Sequence, residues 1–201
     1  MQEPIYIVRT GTANTASVIA AFERLGREPQ VTERAANIAE ARCVVLPGVG
    51  AFGAAARQLQ DLELVDVLRE RIEAGRPTLA ICLGMQLFGL ASDEDDEARG
   101  MGVLPRKIRA FPEGTLVPHL GWNEVTPVES ELIEPGFAYF ANSFCLDAIP
   151  AGWSGALTDY GIEFASAIER GAVLACQFHP ELSGAWGAGL IERWLQRAEE
   201  A

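Results

Sequence analysis

Cys82 sits in Leu79-Ala80-Ile81-Cys82-Leu83-Gly84-Met85-Gln86, where an apolar run gives way to a helix-like start through a small-x-Cys-x-Gly turn. That is the nucleophile-elbow pattern with cysteine in place of serine. Small residues at Ala80 and Gly84 let a tight turn form, and the turn lifts the sulfur above a sheet edge at a helix N-terminus, where thiolate is favoured over thiol. The plainer reading is a buried small hydrophobe. A second stretch, Ala175-Cys176-Gln177-Phe178-His179-Pro180-Glu181, holds one of only two histidines in the chain. Pro180 biases His179 to extended geometry, and extended residues two apart face the same way. His179 and Glu181 can therefore enter one site, the carboxylate fixing the imidazole tautomer and stabilising the imidazolium. A lone histidine is more often structural. The third stretch is Leu46-Pro47-Gly48-Val49-Gly50-Ala51-Phe52-Gly53. Its spacing is neither that of a P-loop nor that of a dinucleotide fingerprint. A loop whose N–H groups serve an oxyanion fits better, against a plain strand-to-helix turn.

These residues need a scaffold, and the hydrophobic pattern supplies one. Ile5 to Val8, Cys43 to Leu46 and Pro77 to Ile81 are short apolar runs suited to buried strands, the second broken by Pro47-Gly48 and the third with its proline at the strand start. Val18, Ile19, Phe22 and Leu25 mark a helix face closed by Gly26, with Thr12 or Asn14 placed to cap its start. Leu64, Val65, Leu68 and Ile72 mark a second helix that stops near Gly75. Strands alternating with helices predict parallel βαβ units and an α/β sheet. From Lys107 to Gln177 short apolar and β-branched runs separated by Pro, Gly and Asp predict a mostly β half with antiparallel pieces. A last helix starts near Ala185, with Leu190, Ile191, Trp194, Leu195 and Ala198 on its apolar face.

The chain has 201 residues, enough for one domain spanning 1–201 with a core that needs no disulfide or metal staple. It carries 16 basic and 28 acidic residues, a net charge of -12, with Lys107 the only lysine. That balance argues against nucleic acid or an anionic membrane as partner and allows a partner with a basic face. No apolar run predicts a membrane span, and the opening residues have no basic region leading into a long apolar one. Cys43, Cys82, Cys145 and Cys176 then read as reduced thiols in a cytoplasmic protein. The acidic run Asp93 to Glu97 lacks the spacing of a calcium loop and reads as a solvated loop.

The three stretches together resemble the class I glutamine amidotransferases, which carry a Cys-His-Glu triad. Pro47-Gly48-Val49-Gly50-Ala51-Phe52 and Pro118-His119-Leu120-Gly121-Trp122-Asn123 resemble motifs of one branch, the glutaminase subunits of imidazole glycerol phosphate synthase. The resemblance covers the chain from Ile5 to the last helix. It implies a flavodoxin-like α/β core with an additional antiparallel portion and no cofactor or metal. It makes Cys82 the nucleophile, His179 the general acid and base, and Glu181 the group that orients His179. Val49, Gly50 and Leu83 would form the oxyanion hole, and Gly48, Gly50, Gln86, Ser143 and Phe144 would contact L-glutamine. Asn14, Pro118, His119, Leu120, Gly121, Trp122, Asn123 and Leu182 would face a cyclase subunit, a (β/α)₈ barrel, in a heterodimer that passes ammonia forward in histidine biosynthesis. The bland reading of the 118–123 loop is a Trp-anchored surface turn. Two rivals are a freestanding cysteine amidohydrolase and a regulatory subunit without catalysis. The sequence departs from the family pattern at Arg9-Thr10-Gly11-Thr12-Ala13-Asn14, where Asp-Tyr-Gly-x-Gly-Asn is usual. It departs again at Ala80 for glycine, Asn142 for histidine and Leu182 for lysine.

Overall fold

The computed structural model describes residues 4–10 and 15–201. In chain order the first half runs β1 (Ile5–Val8), α1 (Thr15–Arg24), β2 (Pro29–Thr32), α2 (Ala35–Glu40), β3 (Cys43–Gly48), α3 (Phe52–Asp61), α4 (Val65–Glu73), β4 (Thr78–Cys82) and α5 (Leu83–Gln86). The second half runs β5 (Ala91–Ser92), β6 (Lys107–Ala110), β7 (His119–Val128), β8 (Gly136–Asn142), β9 (Phe144–Cys145), β10 (Ser154–Asp159), β11 (Glu163–Arg170), β12 (Val173–Cys176), a 3₁₀ turn (Pro180–Leu182) and α6 (Gly184–Glu200).

Nine strands form one sheet in the order β2-β1-β3-β4-β12-β11-β10-β7-β8. The first five pair in parallel and the rest antiparallel. This is a flavodoxin-like order, with the second half of the chain appended to the sheet as a meander. Every residue of β3, β4 and β12 is buried, as strands covered on both faces must be. One face packs Ile7, Val45, Leu79 and Ile81 against Phe22 of α1 and Leu190, Ile191 and Trp194 of α6. The other packs Val44, Leu46 and Ala80 against α2, α3 and α4 through Ile38, Leu59, Leu68 and Ile72.

The strands and helices expected from apolar periodicity are present. Two details differ. β3 does not break at Pro47-Gly48; its register with β4 continues to Gly48 opposite Cys82, and Thr10 donates its hydroxyl to the Pro47 carbonyl. β2, α2 and α3 have no counterpart in the expected elements. β2 buries only Thr32 and α2 only Ile38, so neither writes a hydrophobic period into the sequence. Gly26, at φ 71°, closes α1 as expected, with Arg27 N–H donating to the Phe22 carbonyl. The candidate caps Thr12 and Asn14 lie outside the described residues. Among those residues, no helix is long and apolar enough to cross a membrane.

The acidic run is solvent-facing as expected, with Asp93, Glu94, Asp96 and Glu97 exposed, and it also makes surface contacts. Glu94 accepts the Phe52 N–H at 2.8 Å, Asp95 pairs with Arg57 at 3.1 Å, and Asp93 and Asp96 each pair with Lys107 at 2.9 Å. The run ties the start of α3 to the loop after β5.

At the opposite end of the sheet, Arg71 is 2 % exposed. It donates to the carbonyls of Ile38, Ala41, Arg42 and Pro77 and to the Thr78 hydroxyl. Burial and the neighbouring Arg76 lower its pKa to about 10, so it stays charged at neutral pH. The guanidinium satisfies several backbone acceptors at the ends of α2, β3 and β4 at once. We expect Arg71→Met to fill the space but strip a donor from each of those carbonyls, leaving Ala41 only Arg76 and Pro77 only the Val44 N–H among the bonds seen. The predicted loss is about 3 kcal/mol or more, since each unpaired buried group costs ~1–3 kcal/mol. Urea denaturation measures it, and a loss below about 1 kcal/mol contradicts this reading.

Candidate active site

The carboxyl ends of β3, β4 and β12 meet at one place, where open α/β sheets bind ligands. β4 ends at Cys82, whose backbone has φ 53° and ψ −110°. A left-handed φ strains a non-glycine residue, and such strain persists only where the surroundings enforce it. Here the neighbours do. A Cβ on Gly84 would lie 2.0 Å from the Leu46 carbonyl oxygen, and one on Gly48 would lie 2.8 Å from Leu83 Cβ. α5 therefore packs directly on the end of β3, and only glycine fits at both contact points. Cys82 precedes the first turn of α5, as the sequence predicts, and that helix is a single turn.

Just beyond β12, His179 sits in extended geometry at φ −101° and ψ 93°. Its Nδ1 is 2.8 Å from Glu181 Oε1, and both side chains are buried. The contact forms through the 3₁₀ turn Pro180–Leu182, not through the strand alternation first expected. The main chain of His179 is held from both sides. Its N–H donates to the Tyr139 carbonyl at 2.9 Å, and its carbonyl accepts the Ser183 hydroxyl at 2.6 Å. Burial disfavours a charged imidazole, but hydrogen bonds and charge at Cys82 and Glu181 outweigh it and push the His179 pKa up to about 10. Nδ1 faces Glu181, which leaves Nε2 for Cys82.

Cys82, Leu83, Gln86, His179, Val49, Gly50, Ser143 and Phe144 line a common cavity of ≈ 230 Å³ with Glu94, Ala141 and Asn142. That volume lies below the roughly 300–1,000 Å³ of drug-sized pockets and suits a small metabolite. Gly48 is buried behind the wall and shapes it without lining it. Glu94 and Ala141 were missed by the sequence reading: one belongs to the acidic run, the other is an unmarked alanine on β8. Asn142 donates to the Phe144 carbonyl at 3.0 Å, while its buried Oδ1 has no protein partner. Gln177 was also missed. It is fully buried, and its Nε2 donates to Cys82 Sγ at 3.6 Å. Burial holds the other thiols protonated where shifts are resolved: Cys145 is pushed up to about 12, helped by Asp147, and Cys176 well above its usual value, helped by Glu181 and Glu169.

The sequence matches the family described as "Glutamine amidotransferase class-I" over residues 7–196. The chain belongs to this glutamine amidotransferase family. Among curated amidotransferase relatives, the imidazole glycerol phosphate synthase subunit HisH of Aquifex aeolicus is 42% identical over 202 residues, covering 96% of this chain and 97% of that one. The same subunit of Symbiobacterium thermophilum is 39% identical, covering 94% and 92%. Solved structures share the amidotransferase fold. A crystal structure titled glutamine amidotransferase superposes with TM-score 0.77 at 19% identity, covering 96% of this chain and 98% of that chain. PurLQS from Thermotoga maritima superposes with TM-score 0.73 at 18% identity, covering 98% and 99%.

The residues expected at an interface separate into two groups. Leu120, Trp122 and Leu182 are exposed at 64%, 57% and 42%. Pro118 is also exposed, and follows Val117 through a cis peptide bond. His119 is buried instead, stacked between Phe140 and Tyr160 with ring centroids 4.5 and 3.9 Å away. Burial lowers its pKa to about 4, so it is a neutral core ring that supports the strand from inside. Gly121, at φ 128°, and Asn123 are partly buried, and Asn123 bonds to the Asp159 carbonyl at 2.8 Å. Asn14 lies outside the described residues.

The raised His179 pKa sets a pH dependence. Between the unfolded value near 6.5 and the folded value near 10, the native state binds the extra proton, so stability falls as pH rises. This contribution is fully present below about pH 6.5 and lost as pH rises through 10. Glu181→Gln removes the partner's charge. We expect its stability to decline less than that of the parent across this window, as read by denaturant midpoints at stepped pH. Identical slopes would show that the pair does not hold the proton.

Proposed function

We infer that Cys82, His179 and Glu181 hydrolyse glutamine in this cavity and that the ammonia leaves for a cyclase subunit. The placement of His179 carries the reading: it joins a buried carboxylate to a nucleophile held on a strained elbow. The Cys82 thiolate attacks the side-chain carboxamide carbon. N–H groups of Leu83 and of the Val49-Gly50 segment receive the charge on oxygen, where one donor is worth roughly 10²–10³ in rate. His179, as imidazolium, gives its proton to the departing amine, and ammonia leaves a γ-glutamyl thioester. The neutral imidazole then takes a proton from water as the water attacks the thioester carbon. Glutamate and thiolate are released, and His179 is again protonated. Gln86, Ser143 and Phe144 contact the substrate from the cavity wall.

Ammonia released into water would be protonated and lost as a nucleophile, so a receiving site must be close. Leu120, Trp122, Tyr139, Ala141 and Phe137 lie on one face of the β7–β8 pair, because Leu120 is opposite Ala141, Trp122 opposite Tyr139 and Glu124 opposite Phe137. Phe137 is 58% exposed. Ala141 belongs both to this apolar face and to the cavity wall. The heterodimer contact would lie here, with the barrel subunit over the cavity mouth and a basic rim on it matching the acidic chain. Leu182 adds apolar area.

Cys82→Ala tests the chemistry. We expect glutamine hydrolysis to disappear while the complex still forms product from added ammonium salt. Glutamine turnover within tenfold of the parent removes Cys82 as nucleophile. A freestanding hydrolase would instead run at full rate without the barrel subunit. For the contact, Trp122→Ala should weaken barrel binding by ~2 kcal/mol, about thirtyfold, as truncation of a central aromatic does. Unchanged affinity in a binding titration would move the interface elsewhere.

A further inference from the structure

Gln177 reaches the sulfur of Cys82 from within the core. It is fully buried and does not line the pocket. Its backbone N–H is spent on the Ser166 carbonyl at 2.8 Å, which fixes the residue on the end of β12 beside β11. The identity of its amide atoms follows from the network. The Phe144 carbonyl can only accept, so the group of Gln86 that reaches it at 3.1 Å is Nε2. The same Nε2 lies 3.0 Å from Gln177, and a donor there requires Oε1 of Gln177 to face it. Gln177 Nε2 is then the atom directed at Cys82 Sγ, 3.6 Å away. A chain of hydrogen bonds thus runs from the Phe144 carbonyl through Gln86 and Gln177 to the sulfur.

The geometry points to Gln177 as a catalytic residue that donates an N–H to the Cys82 thiolate and is oriented for it by Gln86. This deepens the glutaminase reading and rests on Cys82 being its nucleophile. The donor is neutral and cannot take the sulfur's proton, so it does not compete with His179 for the general-base role. It stabilises negative charge on sulfur before attack and again when the thioester breaks and sulfur leaves. It also links the wall that holds substrate to the nucleophile, because Gln86 belongs to both.

The test is the rate of iodoacetamide alkylation at Cys82, followed by peptide mass spectrometry on the full-length chain at stepped pH. Glutamine turnover of the complex is measured alongside. Gln177→Met keeps length and burial but removes the donor. We expect alkylation of Cys82 at pH 7 to fall about tenfold, the lower range for a hydrogen bond to a charged group. At pH 10 the rate should match the parent, a pattern that general disorder would not produce. Turnover should fall by at least the same factor, with KM unchanged. Gln177→Glu keeps the acceptor for Gln86 but sets a carboxylate toward the sulfur, and should fall further at pH 7. If the Gln177 variants do not fold, Gln86→Met removes the orienting donor without touching the sulfur and should slow alkylation at pH 7 in the same pH-dependent way. Unchanged alkylation at pH 7 in the folded variants overturns the proposal. Parent enzyme alkylated at Cys82 yet fully active overturns the nucleophile reading itself, a result distinct from the first.

Discussion

The backbone of Cys82 is held at φ 53° by a contact that leaves no room for a side chain on Gly84 against the Leu46 carbonyl or on Gly48 against Leu83. A left-handed residue of this kind costs roughly 1–3 kcal/mol, and the fully buried strands β3 and β4 supply the packing that enforces it. Its consequences spread outward. Turning the chain at Cys82 puts both Cys82 and Leu83 on the cavity wall at the end of the sheet. Pressing α5 onto β3 places Val49 and Gly50, just beyond Gly48, in the cavity wall with Cys82 and Leu83. With β12 registered in parallel beside β4, Cys176 next to Ile81, the chain beyond β12 has to deliver Gln177 and His179 to the same spot.

Two kinds of environment then divide the labour around that sulfur. On the cavity side, His179 is held as a cation by Cys82 and Glu181 despite its burial, and its main chain is clamped by Tyr139 and Ser183. On the buried side, neutral amides of Gln86 and Gln177 offer directed N–H groups without adding charge. Such preorganised dipoles need no rearrangement when charge develops. The clamp also links chemistry to surface. Tyr139 pairs with Trp122 on the exposed apolar face while its main chain bonds the His179 segment.

Much of this was legible in the sequence. The Cys82 turn, the His179-Pro180-Glu181 cluster and the glycine loop lie where strands end, and strand ends are written as breaks in apolar runs. The family resemblance rested on the same motifs. Other features were not legible for physical reasons. β2 and α2 bury one residue each and leave no period to detect. His119 reads as polar in sequence but is flattened between two rings by tertiary packing. The role of the acidic run depends on α3, whose small buried residues Gly53, Ala55 and Ala56 gave a weak helix signal. Gln177 is unremarkable until the register of β12 on β4 places it behind the elbow.

On the proposed reading, the elbow makes Cys82 the covalent attachment point for the γ-glutamyl group. The direct measurement is a rapid acid quench of the complex turning over glutamine, followed by peptide mapping by mass spectrometry. We expect a γ-glutamyl mass increase on the peptide holding Cys82, present during turnover and absent without glutamine. A γ-glutamyl group on the peptide of Cys43, Cys145 or Cys176, or turnover with no adduct on Cys82 under quench conditions that preserve a control thioester, would contradict it.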